Sequence, residues 1–265
     1  MPGSGAALVL SATMFAAAGS LAQSPQTASQ IDKPVIYQIG DYLHINAAGP
    51  RPLLQAIDAL QRKYGWVIDY EDPQYTTAPE NPASRPSPPH RLHSMAQTAG
   101  NASGAFSLRF QLAEQGNAVP DEAKLLTALV NAYNDSNGAA EFKLLQQAGD
   151  RFAVVGVGVR DANGNVVSQH PILDLPITLA KAQKGAAEAI SLISRQVSAE
   201  SKIAISVHFD PALPQSTTAM IGGQDLPARQ LLLAAVGVLG SKAYWRLLYE
   251  PQNKAYELNI RQLPR

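Results

Sequence analysis

The chain has no cysteine among its 265 residues. That excludes disulfides, thiolate metal sites and a cysteine nucleophile. It equally excludes a lipid-anchored cysteine behind a signal segment. Charge is scarce as well. Only 16% of residues are charged, 21 basic against 21 acidic, for a net charge of zero. With no long basic or acidic block, neither nucleic acid nor an anionic membrane is expected as the main partner. The interleaved aromatic and basic residues of a single-strand binder are missing too. After residue 22 no apolar run is long enough for a helix to cross a bilayer. There is no Gly-x-Ser-x-Gly and no P-loop. Gly156-Val157-Gly158 lacks the third glycine and the helix start of a dinucleotide site, so it reads as a strand feature and no cofactor is expected.

What is present begins with an export signal. Ala6 to Ala18 is an apolar run of h-region length, and Ser20-Leu21-Ala22 offers small residues for a cut after Ala22. Residues 1–22 therefore read as a signal peptide and 23–34 as a polar, flexible leader. The expected location is a bacterial periplasm or the medium, because exported eukaryotic domains of this size more often carry cysteines.

The remaining chain alternates helix and strand patterns. Tyr42 to Asn46 alternates as a strand does. Pro50 and Pro52 open a helix with a stripe of Leu53, Ile57, Leu60 and Tyr64, which Gly65 ends. Trp66 to Tyr70 is the next strand. The stretch 73–104 holds six prolines from Pro73 to Pro89 among Ser, Thr, Asn and Gly, too little apolar surface to offset ordering entropy. Ala105 to Leu112 is a half-buried strand. Pro120-Asp121-Glu122 starts a helix striped by Leu125, Leu126, Leu129, Val130 and Tyr133. A hairpin over 141–159 follows, then a turn at Asn163-Gly164. Pro171 and Pro176 mark a connector.

From there the layout repeats. A helix with Ala186, Ile190, Ile193 and Val197 on one face leads to the strand Ile203 to Phe209 and then Asp210-Pro211. Thr217 to Ile221 is a short strand, which Gly222-Gly223-Gln224-Asp225 turns. Pro227 opens a second helix, and Tyr244 to Tyr249 pairs with Ala255 to Ile260. In the first copy Asp72-Pro73 stands where the second has Asp210-Pro211. The expected fold is α+β, built from two tandem βαβ-type modules with small mixed sheets packed on helices. The first spans 35–165 with the Pro-rich insertion 73–104, and the second spans 175–265.

Pro52-Leu53-Leu54-Gln55-Ala56-Ile57-Asp58-Ala59-Leu60, the strand running into Asp69-Tyr70-Glu71-Asp72-Pro73, and Gln224 to Leu239 with the strand Tyr244 to Tyr249 carry a likeness. Together they resemble the short domain at the N-terminus of secretins and TonB-dependent transducers. The resemblance implies a periplasmic protein-interaction module with two βαβ layers. The insertion of about 30 residues, and the lack of a following barrel or secretin core, depart from that pattern.

Candidate chemistry is sparse. Asp69, Glu71 and Asp72 cluster in one strand, with Tyr70 and Tyr75 beside them. The local pattern reads as a solvated strand end turning at Pro73, and the five residues as an interaction patch. The competing readings are a hydrolase using Asp69, Glu71 and a histidine, or a carrier of a small apolar ligand between the modules. His90 and His93 could approach one metal but lack a third ligand, so no metal is expected. His44, His170 and His208 read as surface or strand-edge residues. Asp161 to Asn165 lacks the acids of a calcium loop and reads as a turn. The function expected is non-catalytic binding of envelope proteins in assembly, secretion or signalling, by way of an exposed sheet edge, with Tyr256 to Ile260 the candidate edge strand.

Overall fold

Proline and glycine set the first helix. In the computed structural model α1 (Pro52–Tyr64) begins on Pro52, whose missing N–H is one of the orphan donors of a helix start. It ends at Gly65, left-handed at φ 72°, whose N–H bonds the Gln61 carbonyl. α2 (Glu122–Asp135) is capped by the Asp121 carboxylate, which accepts the Lys124 N–H at 2.9 Å. The residues described are 35–75, 105–112, 119–136, 138–148, 151–161, 163–214 and 217–264. The signal segment, the leader, His90, His93 and most of the Pro-rich insertion lie outside them.

The remaining elements of the first half are β1 (Val35–Ile39), β2 (Tyr42–Ala47), β3 (Ile68–Glu71), β4 (Phe106–Gln111), β5 (Ala140–Gln147), β6 (Arg151–Arg160) and β7 (Val166–Ser168). A 3-10 turn at Ile172–Asp174 leads into the second half. There stand β8 (Pro176–Gly185), α3 (Ala186–Ser201), β9 (Ile205–Phe209), β10 (Thr218–Pro227), α4 (Ala228–Val238), β11 (Ala243–Glu250) and β12 (Ala255–Gln262). The class is α+β, and β2 to β6 of the first half and β8 to β12 of the second both run strand, helix, strand, strand, helix, hairpin. Each half has an outer antiparallel sheet: β1-β2-β4 in the first, β8 with β10 in the second.

The inner strands do not form two separate sheets. They lie in one seven-stranded sheet of order β5-β6-β3-β11-β12-β9, with β7 beside β6. β3 pairs in parallel with β6 on one side and with β11 on the other. The reason is burial. All four residues of β3 are buried, so its backbone needs partners on both edges. The described residues accordingly belong to one compact unit.

The hairpins reveal the repeat residue by residue. Ala140-Glu141-Phe142-Lys143-Leu144-Leu145 of β5 matches Ala243-Tyr244-Trp245-Arg246-Leu247-Leu248 of β11. Leu144 faces Val154 and Leu247 faces Leu258, so β6 and β12 align. Phe152 then pairs with Ile68, and Tyr256 with Ile205. Counted along the strands, Asp69 matches Ser206, Tyr70 matches Val207, Glu71 matches His208 and Asp72 matches Phe209. The two Asp-Pro pairs are thus one residue out of step. Likewise Leu125-Leu126 of α2 matches Leu231-Leu232 of α4, which sets Ala123 against Arg229.

The halves sit on opposite faces of the shared sheet. Tyr70 stacks on Phe142, which meets Tyr133 of α2 edge-on. Glu71 projects the other way, to Arg229 of α4.

Four expectations change. β1 and β8 are strands, although Pro176 read as a connector. Its stretch shows only two core residues, Ile177 and Leu179, a weak alternation. Gly222 to Asp225 does not end a strand. β10 continues through it with register shifts, at Gly222 (φ 149°) and Asp225 (φ 51°), an irregularity of β-bulge type. β12 is internal rather than an edge, and β9 is the outer strand.

Gly156 of β6 lies directly under the exit of β3. A Cβ there would stand 2.4 Å from Pro73 Cδ and 2.5 Å from its nitrogen. Gly156→Ala is expected to destabilise the protein by about 1–3 kcal/mol. Thermal or urea unfolding measures it, and an unchanged midpoint would contradict this packing.

Candidate functional site

Burial decides how the acidic strand must be read. Asp69 and Glu71 are 0% exposed, Asp72 and Tyr70 1%, and Tyr75 6%. The five residues are neither a solvated strand end nor a surface patch. They form the seam between the halves, because β3 is covered on both faces and paired on both edges.

Each carboxylate is met by an arginine from elsewhere in the chain. Arg151 on β6 donates to both oxygens of Asp69 at 3.0 and 3.2 Å, and the Trp245 N–H donates to Oδ1 at 3.0 Å. Arg229 of α4 pairs with Glu71 at 2.6 Å and donates to Asp174 at 2.9 Å. The Leu173 N–H supplies a second donor to Glu71 at 3.3 Å. Arg51, at the start of α1, donates to Asp72 at 2.8 Å, to the Tyr249 carbonyl at 2.7 Å and to Glu250 at 3.1 Å. Asp72 also accepts from the Tyr70 hydroxyl at 2.8 Å, the Tyr75 hydroxyl at 3.4 Å and the Tyr249 N–H at 3.1 Å.

The exchange across the seam is reciprocal. β3 sends Glu71 to α4, while β11 sends Arg246 to Asp58 and Gln61 of α1. Gln61 in turn donates to the Ile68 carbonyl at 3.2 Å, tying α1 to the head of β3. Each half thus contributes a strand whose charge is neutralised by the other half's helix. Breaking such a buried pair strands a charge and costs more than the pair contributes.

Burial pushes all three carboxyls up, against the arginines and N–H donors that lower them. Asp69 is pushed up to about 6 from 3.8. These groups do not supply a hydrolase. Their oxygens are engaged by arginines and backbone donors, and none faces solvent. No histidine among the described residues joins them: His44 of β2 stacks on Tyr37 of β1, His170 follows β7 and His208 lies exposed on β9. Asp161 is a turn residue, accepting the Asn163 and Asn165 N–H groups at 2.9 Å. The seam where a carried ligand was expected is occupied by these side chains.

Open surface lies at the two ends of the large sheet. On β9, the Ala204 carbonyl accepts the Tyr256 N–H and the Asp210 N–H donates to Ile260, so Val207 and Phe209 point their backbone groups away from β12. Among the described residues β9 pairs only with β12. At the other end, β5 and α2 border a groove of about 420 Å³ lined by Ala123, Thr127, Val130, Phe142, Leu144 and Gln146, among others. The Asn134 amide clamps one point of that edge, accepting the Phe142 N–H at 3.0 Å and donating to its carbonyl at 2.8 Å. Sequence reading missed both edges and all four arginines of the seam. Aligning Arg229 with Ala123 would have marked the one as unusual. Comparisons with protein-family models, curated proteins and solved structures gave no match.

Arg229→Met is expected to cost about 3–5 kcal/mol by leaving Glu71 buried and unpaired, and Glu71→Leu added to it to recover most of that loss. Urea unfolding of both variants tests this, and equal losses in the two would contradict the pairing. Asp69 contributes to the expected pH dependence, beside Glu122 of α2, which burial pushes up to about 7. The folded value of Asp69 lies above its unfolded one, so the folded state holds the proton more tightly. Its stabilising effect is full below pH 3.8 and fades as pH rises through about 6. Stability should therefore rise on acidification from pH 7 to 5 and, with Asp69→Asn, lose part of that rise. A wild-type midpoint that falls over this interval would contradict it.

Proposed function

We propose that the chain is a non-catalytic protein-interaction module of the bacterial envelope, binding partners by strand addition at the free edges of its large sheet. One observation carries this reading. The clustered carboxylates are spent on internal ion pairs, whereas on β9 the outward backbone groups of Val207 and Phe209 have no partner among the described residues. An exposed edge gives an incoming strand its main-chain affinity, and alternate side chains give the specificity. The apparent signal over residues 1–22 and the resemblance to the short N-terminal domains of secretins and TonB-dependent transducers support the envelope as the setting. No helix among the described residues is long and apolar enough to cross a membrane.

Val207→Pro tests the edge directly. The Val207 N–H is outside the β12 ladder, so proline there blocks an added strand without removing a ladder bond. Cross-linking in periplasmic extract should capture protein partners with the wild type and lose them with the variant, while the unfolding midpoint stays within about 1 kcal/mol of wild type. Equal capture by both would overturn the edge as the binding surface.

A further inference from the structure

The seam is itself a strand addition. Within one chain, β3 enters the edge that β11 and α4 present, in parallel, with the Asp72 N–H donating to the Leu247 carbonyl at 2.8 Å. The same two elements of the first half, β5 and α2, present the equivalent edge, which no strand among the described residues fills and which Asn134 engages at Phe142. The strand equivalent to β3 is β9, whose outer edge also meets no strand among the described residues. The chain therefore ends on one side with the receiving half of a joint and on the other with the inserting half.

We propose that copies of this chain assemble head to tail, β9 of one copy entering the α2–β5 edge of the next as β3 enters the α4–β11 edge within it. The proposal rests on the strand-addition reading and names its partner. The repeat sets the register: Phe209 N–H to the Leu144 carbonyl replaces Asp72 N–H to Leu247.

The side chains change together across the two joints. Glu71 of β3 meets Arg229 in the internal joint. Its counterpart His208, exposed on β9, meets Ala123, the counterpart of Arg229 and exposed on α2. Asp69 gives way to Ser206. An acid that would be stranded opposite alanine is thus missing where the arginine is missing. The Trp245 N–H, held by Asp69 inside the chain, corresponds to the Phe142 N–H, which Asn134 already holds. The donor that a serine replaces as partner is therefore satisfied in advance. On the opposite face Arg246 becomes Lys143 and its partner Asp58 becomes Ser191, by alignment of Ala56-Ile57 with Ala189-Ile190. Such a contact joins unlike surfaces, so it extends into chains or closes into rings rather than stopping at a two-fold dimer.

Native mass spectrometry and light scattering on the purified chain read the outcome. Wild type should form concentration-dependent oligomers beyond the dimer. Val207→Pro blocks the inserting edge and Gln146→Pro, at an exposed outward position of β5, blocks the receiving one. Each alone should still give dimers through its intact edge only when mixed with the other, and monomers by itself. A charge swap tests the register without proline. Ala123→Arg mixed with His208→Glu recreates the internal pair and should associate at least about tenfold more tightly than wild type. His208→Glu alone should associate more weakly. A wild type that stays monomeric overturns the self-assembly. If it still captures foreign envelope proteins through Val207, the strand-addition reading stands; if it captures nothing, both fall. Oligomers insensitive to all four substitutions would also overturn the joint.

Discussion

The pairing of β3 with β11 holds the molecule together. It is short, but it carries three buried carboxylates, each answered by an arginine from another element: Asp69 by Arg151, Glu71 by Arg229 and Asp72 by Arg51. Taking such groups out of water is costly, and attraction offsets the cost only with close geometry and further donors. The Trp245, Leu173 and Tyr249 N–H groups and the Tyr70 hydroxyl provide those donors. The seam thus contributes specificity more than net stability. A one-residue slip of β3 would turn Asp69 and Glu71 away from Arg151 and Arg229, towards the face of Phe142 and Tyr133.

A repeat with opposite-facing halves follows from that seam. Because β3 shares one face with α1 and α2 and offers Glu71 to α4 on the other, the large sheet is covered by one helix pair on each side. The joint consumes one receiving edge and one inserting edge of the repeat. One of each is left over at the ends, and the open surface of the molecule is defined by what the interior has already used.

Much of the element order was legible from local pattern. The stripes of Leu53, Ile57 and Leu60, or of Leu231, Leu232, Ala235 and Val236, report helices because burial follows the 3.6-residue period. The hairpins follow from alternation and turn residues. What escaped was set at long range. Asp69-Tyr70-Glu71-Asp72 looks solvated because carboxylates are rarely buried without partners, and the partners Arg151 and Arg229 come from far along the chain. β8 escaped, and β10 was read only as far as Ile221, because only Ile177, Leu179 and Ile221 of their side chains enter the core. The sharing of one sheet was invisible for the same reason: no local signal says which edge a strand will meet. The edges that remain open could be found only after the filled ones were known.

The claim on which all this rests is that the two halves form one cooperative body through the β3–β11 joint. Native-state hydrogen exchange of the wild-type protein tests it most directly. The slowest amides of β6, in the first half, and of β12, in the second, should open with the same free energy and the same denaturant dependence, as in one global unfolding. If β12 opens at markedly lower cost while β6 stays protected, the halves are independent and the seam does not hold them together.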